Sequence, residues 1–306
     1  MLLFSGSSHP DLAHAIANSL AMSLGRCTLQ RFPDGEVSVV IEEEVRDQEV
    51  FLVQSTCPPV DNHLMELLAM ADACRRAAAA RITAVIPYFG YGRSDHRNSE
   101  GRPIMASVVA KLLESVGIDR VLTFDPHVPQ MEGFFQIPLE SLTTTPLLLK
   151  GISDHVSKDV VVVSPDAGRL GLALHYADHL KTEVAVLHKQ RHSGNKTQIH
   201  RLVGDVKGRS CLIVDDLIST GGTLKDVIEA LLAAEAVPEI AIVSTHTLLC
   251  AAAADVLQHS AIKYFITTDT VPQSLDLPHV KVVSVASRIS TAIERTLAGQ
   301  SLESLY

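Results

Sequence analysis

A chain of 306 residues, 46% hydrophobic and 20% charged, is long enough to bury a large core and to form about two domains. Its formal net charge of -9 excludes the broadly basic surface that nucleic-acid and anionic-membrane partners favour. Its longest uninterrupted apolar runs are strand-length, so no bilayer-spanning segment is expected.

At the N-terminus, an apolar start at Leu2–Phe4 is broken by Gly6, Ser7 and Ser8 and lacks a basic segment, so no signal peptide is expected. Phe32-Pro-Asp-Gly-Glu36 reads as a turn, because Pro33 presets φ and Asp34-Gly35 supports a tight bend. From there, short β-branched runs alternate with helical stretches. Strands are predicted at Val50–Val53, Ile82–Ile86, Val121–Phe124 and Val160–Val163, then at Val184–Leu187, Cys211–Val214, Ile240–Val243 and Lys263–Ile266. Helices are predicted at His63–Ala80, Ile104–Val116, Leu170–Leu180, Leu224–Ala236 and Ala251–Gln258. This alternation predicts an α/β protein whose mostly parallel sheets are flanked by helices, with ligands at the carboxyl ends of the strands. Cys27, Cys57, Cys74, Cys211 and Cys250 are scattered without a C-x-x-C pair, which predicts reduced thiols and a cytoplasmic location.

The order strand, polar loop, helix, strand in Arg46–Tyr88 recurs in Lys207–His246, at an offset of roughly 160 residues. Two related domains are therefore expected, 1–145 and 146–306, joined near Pro146.

The segment Cys211–Thr223 carries the strongest chemical signal. An apolar run leads into Asp215 and Asp216, then a turn of hydroxyls and glycines, then a helix. Gly221 and Gly222 let the backbone wrap so that several N–H groups face one anion. Ser219, Thr220 and Thr223 add hydroxyl donors, and the helix start adds its positive dipole end. Two carboxylates suit a vicinal diol. A phosphate and a diol one sugar apart describe ribose 5-phosphate. A plain helix N-cap would not require Asp-Asp together with Gly-Gly.

Other segments carry weaker signals. Pro87–Arg97 closes a strand with aromatics, glycines and Arg93, a combination that can stack a purine and pair its phosphates, or whose aromatics can simply close a core. His127 and Asp166 each follow a strand, and a hard dication shared with phosphate oxygens needs only one or two such ligands. His188-Lys-Gln-Arg-His192, leading into Ser193-Gly194-Asn195-Lys196, reads as an anion clamp on a mobile loop. His175 and His179 stand four apart around Asp178, a spacing that can bind zinc but here reads as a solvated helix face.

Val214-Asp-Asp-Leu-Ile-Ser-Thr-Gly-Gly-Thr223 resembles the 5-phosphoribosyl 1-diphosphate loop of type I phosphoribosyltransferases. Phe32–Glu36, Pro87–Arg93, Asp125-Pro-His127, Gly133-Phe-Phe135, Ser164-Pro-Asp166 and Gly204–Arg209 are in addition similar to ribose-phosphate diphosphokinases, in order along nearly the whole chain. The resemblance implies two phosphoribosyltransferase-like domains and transfer of the diphosphoryl group of ATP to ribose 5-phosphate. It implies Asp34, Gly35, Glu36, Arg93 and Ser94 at the nucleotide, the first three from a neighbouring subunit of a dimer-based homo-oligomer such as a hexamer. It implies magnesium on His127 and Asp166, and catalytic roles for Lys189 and Arg191. The sugar would rest on Arg191, Asp215, Asp216, Ser219, Thr220, Gly221, Gly222 and Thr223. Ser94 departs from the Arg-Gln-Asp that the family usually shows, which removes an amide capable of reading a base. A phosphoribosyltransferase and a non-catalytic regulatory homologue are the alternatives.

Overall fold

The computed structural model describes residues 1–97, 99–191, 198–250 and 253–306, with 189–191 and 198–200 described as backbone only. Two compact units arise. The first comprises Met1–Thr143, Thr270–Pro272 and Ser284–Tyr306, and the second Thr144–Asp269 and Gln273–Val283.

In the first unit the elements run β1 (Leu2–Ser5), α1 (Pro10–Ser19), β2 (Cys27–Arg31), β3 (Val37–Ile41), β4 (Glu49–Val53) and α2 (Val60–Arg76). They continue with β5 (Arg81–Ile86), α3 (Met105–Ser115), β6 (Arg120–Phe124) and β7 (Leu139–Leu142). Strands β1-β4-β5-β6-β7 pair in parallel in that spatial order, while β2 and β3 form a separate antiparallel hairpin. Both faces of this sheet are covered, so its strands are near-continuous apolar runs, as in Val50-Phe-Leu-Val53 with every side chain buried. Phe4, Val50, Leu52, Ile82, Ala84 and Val121 meet Leu67, Met70, Val109 and Leu113 of α2 and α3. Each such side chain contributes roughly 1.5–3 kcal/mol by leaving water.

The second unit runs α4 (Thr145–Ile152), β8 (Val161–Ser164), α5 (Leu170–Leu180), β9 (Val184–Arg191), β10 (Gln198–Val203) and β11 (Cys211–Ile218). It closes with α6 (Gly222–Ala233), β12 (Ile240–Thr247), α7 (Ala253–Leu257), β13 (Ile262–Thr268) and β14 (Val280–Val283). Its sheet order is β10-β9-β8-β11-β12-β13-β14, parallel throughout except for the antiparallel β9–β10 pair. Alternation along β11 divides the core. Cys211 and Ile213 face Val227, Ile228 and Leu231 of α6, while Leu212 and Val214 face the side of Ile152, Ala173 and Tyr176.

The last helix, α8 (Ala286–Leu297), belongs to the first unit. Division at 145/146 would leave residues 284–306 with the second domain. Instead Ala286, Ile289, Ala292 and Ile293 form one buried stripe, and Ser290 Oγ donates to the Ile16 carbonyl of α1 at 3.4 Å. The tail is pinned in the same unit, with Arg288 Nη2 donating to the Leu305 carbonyl at 2.7 Å and the Thr143 N–H to that carbonyl at 2.9 Å.

All five cysteines are free thiols. Burial pushes Cys57 up to about 11, Cys74 to about 12 and Cys211 to about 11, so these three are poor nucleophiles at neutral pH. Among the described residues, no helix is long and apolar enough to cross a membrane.

Candidate active site

In the second unit, β11 pairs with β8 only over Cys211–Ile213, whereas its pairing with β12 continues to Ile218↔Thr247. Asp215 and Asp216 therefore lie within the strand, which continues past the predicted end at Val214 to Ile218 before the turn begins. Because β8 stops at Ser164, the edge of β11 beside the two carboxylates is left to the turn that follows β8. That turn is tightly built. Asp166 Oδ1 accepts from the Arg169 N–H at 3.1 Å, and Ser164 Oγ donates to the Asp166 carbonyl at 2.7 Å. The Arg169 side chain reaches Asp216, Nε to Oδ1 at 3.0 Å, with the two side chains only 16% and 8% exposed.

The electrostatics of the pair are unfavourable by themselves. Burial pushes the Asp215 carboxyl well above the usual carboxylate range, the Asp216 charge and contact push it further, and Arg169 opposes both. A carboxyl whose folded pKa is raised disfavours the fold as pH climbs past the ordinary carboxylate range, because the folded form holds its proton more tightly than the unfolded chain. Such a shift beside a charge partner makes the carboxylate pair a candidate binding site.

After Ile218 the chain turns through Ser219, Thr220 and Gly221 into α6. Gly221 has φ +77°, and a Cβ there would meet the Ala253 Cα at 3.0 Å, so this position demands glycine for conformation and for space. As N-cap residue it has no side chain to bond the first amides of α6, and a Cβ on Gly222 would meet Thr220 Oγ1 at 3.8 Å. The turn therefore presents helix amides flanked by the hydroxyls of Ser219, Thr220 and Thr223, the donor set a phosphate requires.

The expected clamp is arranged differently from its sequence reading. Val184–Leu187 is not the whole strand, for β9 runs to Arg191, with Lys189 paired to His200 and Arg191 to Gln198 of antiparallel β10. The side chains of Lys189 and Arg191, like residues 192–197 that include the expected mobile loop Ser193–Lys196, lie outside the described residues.

In the first unit, Asp34, Gly35 and Glu36 form the exposed tip of the β2–β3 hairpin. The Gly35 N–H donates to the Phe32 carbonyl at 2.8 Å, and the Glu36 N–H to Asp34 Oδ1 at 3.1 Å, with Gly35 at φ +93°. At the end of β5, Tyr88 and Phe89 are 7% and 4% exposed, and Phe89 packs edge-on against Phe135 at 6.0 Å. Buried in this way, they close the core and cannot stack on a purine. Arg93 is exposed nearby, whereas Ser94 is occupied in starting α3: its Oγ accepts from the Met105 N–H at 3.3 Å and its carbonyl from the Ala106 N–H at 3.1 Å. His127 follows β6, and a Cβ on Gly92 would lie 3.9 Å from the His127 Cβ, so the Arg93 loop and His127 are neighbours.

Two further features carry no chemistry of this kind. His175 and His179 share the exposed face of α5 with ring centroids 4.6 Å apart, and among the described residues no group of three metal-binding side chains forms. A cavity of about 330 Å³ lined by His155, Ser210, Glu239, Lys263 and Tyr264 lies at the amino ends of the second unit's strands, opposite the loops that carry the site. Arg169 is the residue that sequence reasoning missed. The motif Ser164-Pro-Asp166 stops three residues short of it, and no spacing in the sequence ties it to Asp216.

Two mostly parallel sheets flanked by helices, one carrying a carboxylate pair and a glycine helix start, define a protein of the phosphoribosyltransferase fold class, and a profile of the phosphoribosyl transferase domain matches residues 146–281. A second profile, the N-terminal domain of ribose phosphate pyrophosphokinase, matches residues 1–117. Ribose-phosphate pyrophosphokinase of Chromobacterium violaceum is 42% identical, over 100% of this chain and 94% of its own. That of Caldanaerobacter subterraneus is 44% identical, over 99% and 97%. The crystal structure of phosphoribosylpyrophosphate synthetase from Mycobacterium smegmatis superposes with a TM-score of 0.92 at 36% identity, covering 97% of this chain and 99% of that one. The chain belongs to the ribose-phosphate pyrophosphokinase family, and is an enzyme.

Proposed function

We propose that the enzyme moves the diphosphoryl group of ATP to the anomeric hydroxyl of ribose 5-phosphate, giving 5-phosphoribosyl 1-diphosphate and AMP, with the residues in the following roles. The observation that carries the assignment is the Asp215–Asp216 pair, with Asp216 buried, on the strand that runs into the α6 start left without a side-chain cap at Gly221. The carboxylates accept from the ribose diol, while Ser219–Thr223 hold the 5-phosphate. Asp34, Gly35, Glu36, Arg93 and Ser94 hold the nucleotide. The exposure of the Asp34–Glu36 tip suits its donation to a neighbouring copy in a dimer-based homo-oligomer. Ser94 contributes by setting the start of α3 beside Arg93, since its hydroxyl and carbonyl are both engaged there.

Attack at the β-phosphorus spreads charge over the equatorial oxygens, so the protein's work is positioning and charge stabilisation, and no nucleophilic side chain is needed. Lys189 and Arg191 supply positive charge to the transferring group, and Arg191 also contacts the sugar. Magnesium fits as a companion of the phosphates: Asp166 spends one oxygen, Oδ1, on its own turn and offers a second hard oxygen, and His127 is the other candidate. Bound there, the ion would neutralise phosphate oxygens. The free thiols and acidic charge accord with a cytoplasmic setting.

The deciding experiment mixes the protein with ATP, magnesium and ribose 5-phosphate. AMP formed in step with 5-phosphoribosyl 1-diphosphate is expected. Diphosphate release that needs a purine or pyrimidine base would identify a phosphoribosyltransferase, and sugar binding without turnover a regulatory homologue. His127→Ala is expected to remain folded, to lose activity at low magnesium and to recover part of it as magnesium is raised. A magnesium titration superimposable on that of the parent enzyme would remove His127 from the metal.

A further inference from the structure

We propose that Arg169 is a positioning residue that sets specificity for the ribose diol, its guanidinium holding Asp216 in the orientation from which the carboxylate pair accepts the two sugar hydroxyls. The inference rests on the sugar site proposed above and names a determinant within it.

Three observations converge. The Nε···Oδ1 separation is 3.0 Å with both side chains largely buried, so little solvent competes for either group. The backbone of the same residue is tied to Asp166, whose Oδ1 accepts from the Arg169 N–H at 3.1 Å, so one short turn holds the metal-ligand candidate and the sugar carboxylates in a common frame. Finally, β11 has no β8 partner beyond Ile213, and on that side Arg169 reaches across to Asp216, while Asp215 Oδ1 accepts from the Asp216 N–H at 2.9 Å.

Charge counting gives the arginine a second part in the same role. Asp166, Asp215 and Asp216 are three acids close enough that Asp166 and Asp216 both disfavour the charge on Asp215, and Arg169 opposes them. A carboxylate pair by itself would repel itself and an anionic substrate; the guanidinium offsets one of those charges. An ammonium in its place would retain the charge but not the directed Nε–H that meets Asp216 Oδ1 at 3.0 Å. Neutral replacements lose both.

The test compares the parent enzyme with Arg169→Ala, Arg169→Met and Arg169→Lys, using steady-state kinetics with ribose 5-phosphate and 2-deoxyribose 5-phosphate, and calorimetric binding of ribose 5-phosphate. For Ala and Met, KM for ribose 5-phosphate is expected to rise about 10–100-fold with KM for ATP nearly unchanged, as befits loss of a charged hydrogen bond inside one substrate's site. Discrimination against the deoxy sugar should shrink in the same variants, since the ribose alone loses an oriented acceptor. Lys should restore affinity in part and discrimination less. Unaltered ribose 5-phosphate binding and discrimination in the Met variant would overturn the inference, and so would equal losses for both substrates, which would mark a purely structural ion pair. The parent enzyme separates the two questions: if it makes no AMP the proposed reaction fails, whereas an active parent with indifferent Arg169 variants sinks this inference alone.

Discussion

Lys189→Ala is expected to fold normally, bind ATP and lose at least about 10²–10³ in kcat, with far smaller changes in either KM. The reason lies in when the charge is needed. Ground-state ATP already carries its negative charge, but the equatorial oxygens of the transferring group gain more as the bonds to the β-phosphorus exchange. A cation that engages chiefly at that moment lowers the barrier without tightening the ground state. Removing one preorganised donor from such a site typically costs about 3–4 kcal/mol. Loss of a full charge should cost no less. Arg191→Lys should also fail to recover full activity, because an ammonium cannot grip two oxygens as a planar guanidinium does. Both positions lie on β9 where it pairs with β10, so their backbone is held by a ladder, a better platform for such a charge than an unpaired loop. Steady-state kinetics decide: a Lys189→Ala enzyme whose kcat holds while one KM rises would make the residue a ground-state anchor.

The second large effect concerns the sugar. 2-Deoxyribose 5-phosphate is expected to react with a kcat/KM at least about 10²-fold below that of ribose 5-phosphate. Asp216 is 6% exposed and Asp215 is pushed up by burial, so a carboxylate that loses its hydroxyl partner regains little from water. Sites built around a hydroxyl reject the analogue that lacks it, because the protein group is stranded, not because the missing bond was strong. Equal kcat/KM values for the two sugars would detach Asp215 and Asp216 from the diol.

Much of the architecture was legible because apolar runs in a doubly covered sheet are unmistakable. The segments around Val50–Val53, Ile82–Ile86 and Cys211–Val214 are central strands buried on both faces. Strand ends were less legible. The chain keeps pairing through polar residues wherever a neighbour offers a ladder, and so β11 continues through Asp215 and Asp216 beside β12, and β9 through His188–Arg191 beside β10. The hairpin strand β2 went unread because its apolar signal is diluted, as in Cys27-Thr-Leu-Gln-Arg31, and neither hairpin strand has a fully buried residue.

By itself, the sequence determined the α/β class and the place of the Asp-Asp, Gly-Gly cluster between a strand and a helix, since periodicity and that cluster are local properties of contiguous residues. Only the tertiary structure decided that α8 returns to α1, that Tyr88 and Phe89 are core and not purine platforms, and that Arg169 pairs with Asp216. Each of these depends on what lies opposite a side chain in space. An aromatic next to an arginine carries the same local signal whether it faces solvent or a core, and an ion pair between residues on neighbouring elements leaves no spacing to read. Burial by distant segments decides such cases, because it sets whether water or protein satisfies the group.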